Sequence, residues 1–451
     1  MNKNFQISFV IPSHNGGKYL ESTVMKILAQ DNINFKLIVS FNDVNIPRWI
    51  SKINDERLVY FKTQEILSMS KHYEFILNKI DTGWVSFLGD DDSIFEGAVD
   101  TIYNKIREFP GAKIHIFQRS YYFWPSEKNE LQKSKIFING RKRYHKIGLV
   151  RYRIKFISVA LGLLDHFEIP QLYTGSVISA EIIRSWKLMH SATELYRDLN
   201  PDVYSSAVIY KVNKNYLMYH DWPCFWVGSS EKSFGMIKSD SKNYKSKKIS
   251  NEFFRLNSQN KIELKDGITT RIWQNGNSSL YIILAYLSLP IKHSNMKKRI
   301  LLDFGLASLI VQNIYPFSKF EGKRINFSLI NHILKQFWHK RNVHNFIILR
   351  ALLLVLMIIV NVLLLIISQL RHILRRTSII NSAILMKKTR LIWTKSSQIK
   401  NYQDLALEEK LLDRNNVQFK VDVEIGTWTI HFLRELSRKI IISRKKNEYI
   451  W

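Results

Sequence analysis

A single cysteine, Cys224, in 451 residues excludes an intrachain disulfide and any zinc site built from several thiolates. The thirteen histidines show no HExxH or other metal spacing, and no GxxxxGK[ST] loop occurs, so neither a zinc protease nor a Walker-type nucleotidase is indicated. The first apolar run, in MNKNFQISFVIPSHN, is short and cut by Gln6 and Ser8, too short for the core of a secretory signal; export by that route is not expected. Acidic residues are scarce: 38 Asp+Glu face 67 Lys+Arg, for a formal net charge of +29. Hydrophobic residues make up 46% and aromatics 13%, which excludes a disordered chain and leaves material for two or three structural units.

The charge is segregated. The first 110 residues carry a net −2, whereas 113–155 holds twelve basic residues against Glu127 and Glu130, including Arg141, Lys142 and Arg143. The tail 371–451 adds 17 basic and 8 acidic residues. Such surfaces attract polyanions of any kind: nucleic acid, an anionic bilayer or a phosphate-bearing substrate. Nucleic acid ranks last, because no zinc-finger, RNP or helix-turn-helix signature accompanies the charge. Residues 346–367 are 22 in number, with only Arg350 and Asn361 clearly polar. At about 1.5 Å per residue they reach roughly 30 Å, near a bilayer core, so a membrane helix is expected, whether spanning, re-entrant or in-plane, with a buried core helix as the alternative.

Periodicity predicts strands at 5–11, 35–41, 58–61 and 84–88, alternating with helices through Tyr19–Leu28 and Leu67–Ile80, the latter capped by Ser68 or Ser70. Strand then helix is predicted over Ser176–Met189, with a further element over Asp202–Tyr210. This alternation implies an α/β fold with a mostly parallel sheet, whose ligands gather beyond the carboxyl ends of the strands. There the fourth strand runs into Asp90, Asp91 and Asp92. Three adjacent carboxylates resist joint ionisation unless a cation joins them, and oxygen ligation suits Mg²⁺ or Mn²⁺ shared with a substrate phosphate. An acidic turn capping the next helix, helped by Ser93 and Glu96, is the other reading. The loop Pro12-Ser13-His14-Asn15-Gly16-Gly17 lies at the mouth of the first strand.

ISFVIPSHNGGKYLESTVMKILAQ resembles the opening of family 2 glycosyltransferases, and LSMSKHYEFILNKIDTGWVSFLGDDD resembles their later block ending in the DXD motif. TGSVISAEIIRSW, NPDVYSSAVIY and VGSSEKSFG are similar to the acceptor-side blocks of one bacterial subgroup. The resemblance implies a GT-A nucleotide-diphospho-sugar transferase fold over 1–237, with a nucleotide-sugar half at 1–110 and an acceptor half at 111–237. A polar linker at 238–267, a helical region at 268–345, a membrane helix at 346–370 and a basic C-terminal region at 371–451 follow.

By position, Pro12, Ser13, His14 and Asn15 match the first nucleotide-contacting block, and Asp91 and Asp92 match the metal-side carboxylates. Gly89 replaces the first Asp of the usual DXDD form, and Asp90 fills the variable place beside the donor. Phe41 stands where the family reads the base with an Asp, so Asn42 or Asp43 is expected to take that role. Lys71 and His72 fall where a basic residue often faces the diphosphate. Asp202 in NPDVYS falls at the place of the catalytic base, with Asp198 and Glu194 as neighbours able to substitute and an N-cap role as its alternative. The implied activity is inverting transfer from a nucleotide-diphosphate sugar, UDP-linked in most of the family, with Mn²⁺ or Mg²⁺. The implied acceptor is a lipid-linked saccharide or another surface-polymer precursor, met at the cytoplasmic face of a membrane. A non-catalytic scaffold of the same fold is the alternative. The aromatics Tyr121-Tyr122-Phe123-Trp124, Trp222 and Trp226 suit either sugar stacking or packing.

Overall fold

The computed structural model describes residues 6–14, 16–42, 45–80, 83–123, 135–139, 144–160, 166–189, 194–197, 201–219, 224–229, 255–257, 282–283, 285–286, 289 and 391–395. The chain divides into two compact units. One comprises Met1–Leu149, Pro170–Ile262 and Lys387–Val421; the other comprises Val150–Ile169, Glu263–Met386 and Asp422–Trp451. Residues 150–169, placed by sequence within 1–237, therefore fall in the second unit. The apolar segment 346–367 and most of 238–345 and 371–451 lie outside the described residues. Among the described residues, no helix is long and apolar enough to cross a membrane.

The first unit begins with β1 (Ile7–Ser13), α1 (Leu20–Leu28), β2 (Phe35–Phe41), β3 (Leu58–Lys62), α2 (Met69–Leu77), β4 (Trp84–Phe87), β5 (Ser93–Ile94) and α3 (Ala98–Glu108). It continues with β6 (Ile114–Ile116), β7 (Arg119–Phe123), β8 (Lys135–Asn139) and β9 (Tyr144–Ile147). After α4 (Leu149–Ala160) come β10 (Ser176–Ser179), α5 (Ala180–Met189), α6 (Pro201–Val212), β11 (Tyr216–Tyr219), β12 (Phe225–Ser229) and β13 (Leu391–Lys395). Eight strands form one sheet in the order β3-β2-β1-β4-β10-β6-β11-β9. Strands β3, β2, β1 and β4 are mutually parallel, β10 enters antiparallel between β4 and β6, and β11 returns parallel to β6. A second sheet has the order β13-β8-β7-β12-β5.

Alternation along the buried strands sorts side chains to two faces. Ile7, Phe9 and Ile11 of β1 join Leu37, Val39, Val24, Ile27, Val99, Ile102 and Ile106 in one core, which places α1 and α3 on that face. On the other face, Phe87 stacks on Tyr73 of α2 (centroids 5.3 Å) and meets Tyr196 edge-on (5.2 Å). Helices α5 and α6 pack on each other through buried faces that include Trp186, Val203 and Ala207. The result is a mixed α/β sandwich around a central, mostly parallel sheet.

Strand β1 runs two residues beyond the predicted 5–11 and includes Pro12, paired with Ser40 in the β2 register. A proline in a central strand normally leaves a gap in the ladder. Here the β4 ladder ends at Val10↔Phe87, with a last bond from Leu88 N to Val10 O. The missing N–H of Pro12 falls one step past it on the same edge, so the two strands part there without losing a bond. That parting opens the mouth in which Ser13 and the acidic triplet meet.

In the second unit, Phe156 of α4 meets Tyr286 edge-on at 5.5 Å, and Lys155 Nζ pairs with Glu168 Oε2 at 3.1 Å.

Candidate active site

The acidic turn is built from both sides of that mouth. The Ser13 hydroxyl donates to Asp90 Oδ2 at 2.9 Å, and the Thr23 hydroxyl of α1 reaches the carbonyl of Asp92 at 2.9 Å. Gly17 has φ +20°, and a Cβ there would lie 2.5 Å from Asp90 Oδ2. Only a residue without a side chain lets the loop 16–17 lie against Asp90. The turn closes through Asp92 N to Gly89 O (3.2 Å) and Gly89 N to Asp92 Oδ2 (2.7 Å). A Cβ on Gly89 would stand 3.1 Å from Asp91 Oδ1 and 3.2 Å from Asp92 Oδ2. A side chain at 89 would therefore need these two carboxylates to shift by a few tenths of an ångström.

The three carboxylates differ in environment. Asp90 is half-buried, Asp91 is 9% exposed and Asp92 is fully enclosed. Asp92 accepts from Gly89 N, from the Thr174 hydroxyl and, through Oδ1, from Gly228 N at 2.8 Å. Burial pushes its pKa up to about 6; the bonds from Thr174, Gly89 and Gly228 pull the other way, and the charge of Asp90 adds to the rise. Asp92, expected to ligate metal, is turned into the protein and bonded there; Asp91 is buried as well, and Asp90 is the most exposed of the three. Nor does the triplet cap a helix: Ser93–Ile94 continues as β5 against Phe225 and Trp226, and α3 begins after Gly97, whose φ is +70°.

A divalent cation fits this donor set on chemical grounds, since the open groups are carboxylate oxygens without nitrogen or sulfur, as hard cations require. Among the described residues, no three or more His, Cys, Asp or Glu are grouped to hold a metal by themselves. A cation here would share its coordination with a bound phosphate.

At the end of β2, the Asn42 amide is fully committed. Its Nδ2 donates to Leu67 O at 2.7 Å and faces His14 Nδ1 at 3.3 Å, while its Oδ1 accepts from Leu67 N (2.8 Å) and lies 3.4 Å from the Thr63 hydroxyl. Phe41 is buried in the core. Behind it, His72 Nε2 pairs with the Ser40 hydroxyl at 2.8 Å; burial and the neighbouring His14 lower its pKa to about 4. Lys71 is exposed in the first turn of α2, whose N-cap is Ser68. Asn15, Asp43, Asp198 and Trp222 lie outside the described residues.

Asp202 is half-buried in the first turn of α6, which starts at Pro201, so Asp202 lies inside the helix instead of capping one begun at Val203. Two tyrosines relate it to the acidic turn. Burial raises the hydroxyls of Tyr73 and Tyr173 well above their usual range, and each also feels the negative charges of Asp202, Asp91 and Asp92. Tyr73 and Tyr173 thus both sense the charges of the acidic turn and of Asp202. Sequence reasoning missed both tyrosines, and with them Thr174 and Gly228. Thr174 and Gly228 do stand in the quoted TGS and VGSS blocks, which was the available signal. Trp226 is buried and stacks on Phe95 (4.2 Å, 11°), so it serves packing.

The mixed α/β architecture with a central, mostly parallel sheet fits the GT-A fold, the class of the nucleotide-sugar glycosyltransferases. Residues 8–161, about a third of the chain, match the family model described as Glycosyl transferase family 2. No curated protein matches the chain by sequence. Among solved structures it is similar to S. aureus TarS 1-349 in complex with UDP-GlcNAc, at 12% identity and TM-score 0.40, covering 67% of this chain and 81% of that one. It is also similar to a crystal structure of S. aureus TarS at 13% identity and TM-score 0.36, covering 68% of this chain and 49% of that one. TarS 1-349 in complex with UDP matches at 12% identity and TM-score 0.36, covering 68% and 82%.

Proposed function

We propose that the chain is an inverting glycosyltransferase that moves a sugar from a nucleotide diphosphate, UDP in the first instance, to a hydroxyl of a saccharide acceptor. The observation that carries this reading is the acidic turn at the carboxyl end of β4, held by the hydroxyls of Ser13, Thr23 and Thr174, in a segment that matches the Glycosyl transferase family 2 model. Transfer with inversion needs a base on one side of the anomeric carbon and a stabilised diphosphate on the other. Asp202 takes the proton of the acceptor hydroxyl as its oxygen bonds to the anomeric carbon and the bond to the diphosphate oxygen breaks.

Asp90 and Asp91 would hold Mn²⁺ or Mg²⁺, which when bound neutralises charge developing on the departing diphosphate. Ser13 and Gly17 fix the position of Asp90, and Asp92 braces the turn from within. Asn42, with its amide bonded into the 63–67 loop, shapes the floor for the base, and the neighbouring Asp43 is left to read it.

The basic residues of 113–155 and the tail, together with 346–367, suit a place at the cytoplasmic face of a membrane and an acceptor bearing lipid-linked pyrophosphate. Calorimetric titration with UDP-, GDP- and dTDP-sugars, each with and without Mn²⁺, tests the donor site. Metal-dependent binding of one donor supports the reading. Silence across the panel in a folded sample transfers the weight to a non-catalytic scaffold.

A further inference from the structure

Glu74 takes no part in the chemistry above, yet it is a buried carboxylate on the helix that carries Tyr73. Its Oε2 accepts from two consecutive amides, Leu195 N at 2.9 Å and Tyr196 N at 3.1 Å, while Lys187 of α5 lies 3.7 Å from Oε1 and donates to Asn78. The bonds continue beyond this pair. The Tyr196 hydroxyl donates to Leu172 O at 2.8 Å, Leu172 N donates to the Ser205 hydroxyl at 2.9 Å, and that hydroxyl donates to Asp202 O at 2.6 Å. Tyr196, Leu172 and Ser205 are all fully enclosed. One unbroken chain of hydrogen bonds thus runs from α2 to the backbone of Asp202.

We infer that Glu74 is a positioning residue, which through Tyr196, Leu172 and Ser205 fixes the first turn of α6 and so sets Asp202 against the acidic turn. The physical need is plain. Asp202 and Asp90–Asp91 come from elements far apart in the chain, and displacing a base by about 1 Å costs on the order of 100-fold in rate. A carboxylate that accepts two adjacent amides holds a short segment in one orientation, and its negative charge makes both bonds charge-assisted. Leu172 stands one residue before Tyr173 and two before Thr174. The same chain therefore also sets the loop that reaches Asp92.

This inference rests on the transferase reading only where turnover is measured. The test uses the full chain with Glu74→Ala, Glu74→Gln and Tyr196→Phe, read by amide hydrogen exchange, calorimetric UDP-GlcNAc affinity with Mn²⁺, and turnover. Glu74→Ala is expected to lose protection at 194–197 and 172, to keep donor affinity within about twofold, and to lose turnover by about 10- to 100-fold. Glutamine keeps an oxygen that can accept both amides, so Glu74→Gln is expected to restore protection and most of the lost turnover. Tyr196→Phe keeps the ring and cuts the second link. It should lower turnover in a folded protein even if Glu74→Ala does not fold.

Unchanged exchange at 194–197 in Glu74→Ala, or full turnover in Tyr196→Phe, overturns the inference. Loss of donor affinity in parallel with turnover also overturns it, since Glu74 would then support the whole site. A parent chain without turnover, whose amides are protected by Glu74 and released by alanine, overturns the transferase reading and leaves the clasp standing.

Discussion

Thr174 donates its hydroxyl to Asp92 across 82 positions of sequence. The bond joins the turn after β4 to the loop before β10, the one strand that enters antiparallel between β4 and β6. Gly228 N closes the other carboxylate oxygen from β12. Asp92 is thus the pin through which the parallel half of the sheet meets its mixed half.

Replacing Thr174 by valine leaves an enclosed carboxylate short of one donor. Stability is expected to fall by about 1–3 kcal/mol in urea unfolding at pH 7, and Thr174→Ser to recover most of it. A valine variant as stable as the parent would show that the bond contributes nothing.

A methyl group on Gly17 would meet Asp90 Oδ2 at 2.5 Å and displace it from Ser13. Backbone strain of this kind amounts to about 1–3 kcal/mol, so Gly17→Ala should weaken Mn²⁺-dependent donor binding by about tenfold or more in calorimetry. The matched control is Gly111→Ala, where an added Cβ meets nothing within 4 Å and affinity should not change.

His115 is buried against Trp84 and Tyr219, and burial lowers its pKa from 6.5 to about 4. The unfolded chain therefore binds a proton between those values that the folded protein refuses. Stability from this group is complete above about pH 6.5 and is lost as pH falls toward 4, at up to about 1.4 kcal/mol per pH unit. His72 acts in the same direction over the same window. Asp92, raised from 3.8 to about 6, acts in the opposite one, its contribution being lost as pH rises through 6. His115→Phe isolates one term: relative to this variant, the parent should lose stability as pH is lowered from 6.5 to 4. Parallel stability curves would contradict the assignment.

If Asp202 is the base, Asp202→Asn should lower turnover by about 10²- to 10⁴-fold with donor affinity nearly unchanged. Asp90→Ala combined with Asp91→Ala should instead abolish metal-dependent donor binding. Undiminished binding by that double variant in EDTA would remove the metal from the site.

Local pattern made the parallel half legible. Residues 35–41 form β2 as predicted, 58–61 lacks only Lys62 of β3, and Ser68 is the cap of α2. Strand then helix over 176–189 also matches β10 and α5. In each, continuous apolar runs or helical spacing carry the information within one element. What escaped the pattern depends on partners distant in sequence. Two residues suffice for β5 because β12 supplies its pairing, and the antiparallel insertion of β10 is decided by packing. The carboxylates were legible as a triplet, but not that Asp92 would face inward, since Thr174 and Gly228 decide it. Tyr73 and Glu74 stand inside the quoted block that ends in the acidic triplet and Tyr173 directly precedes the TGS block, but their partners are distant in sequence and declare themselves only in three dimensions.

The bond from Gly228 to Asp92 spans 136 positions, which gives the fold a calendar as well as a shape. At roughly 5–20 residues per second of synthesis, on the order of ten seconds pass between the appearance of Asp92 and that of its last donor. During that interval β1 to β4 already have all their parallel neighbours, while Asp92 stands in water with the acidity of an ordinary carboxylate. The nascent chain therefore holds the acidic turn before the strands that enclose it exist. Arrival of β10 and then β12 is the event that dries it.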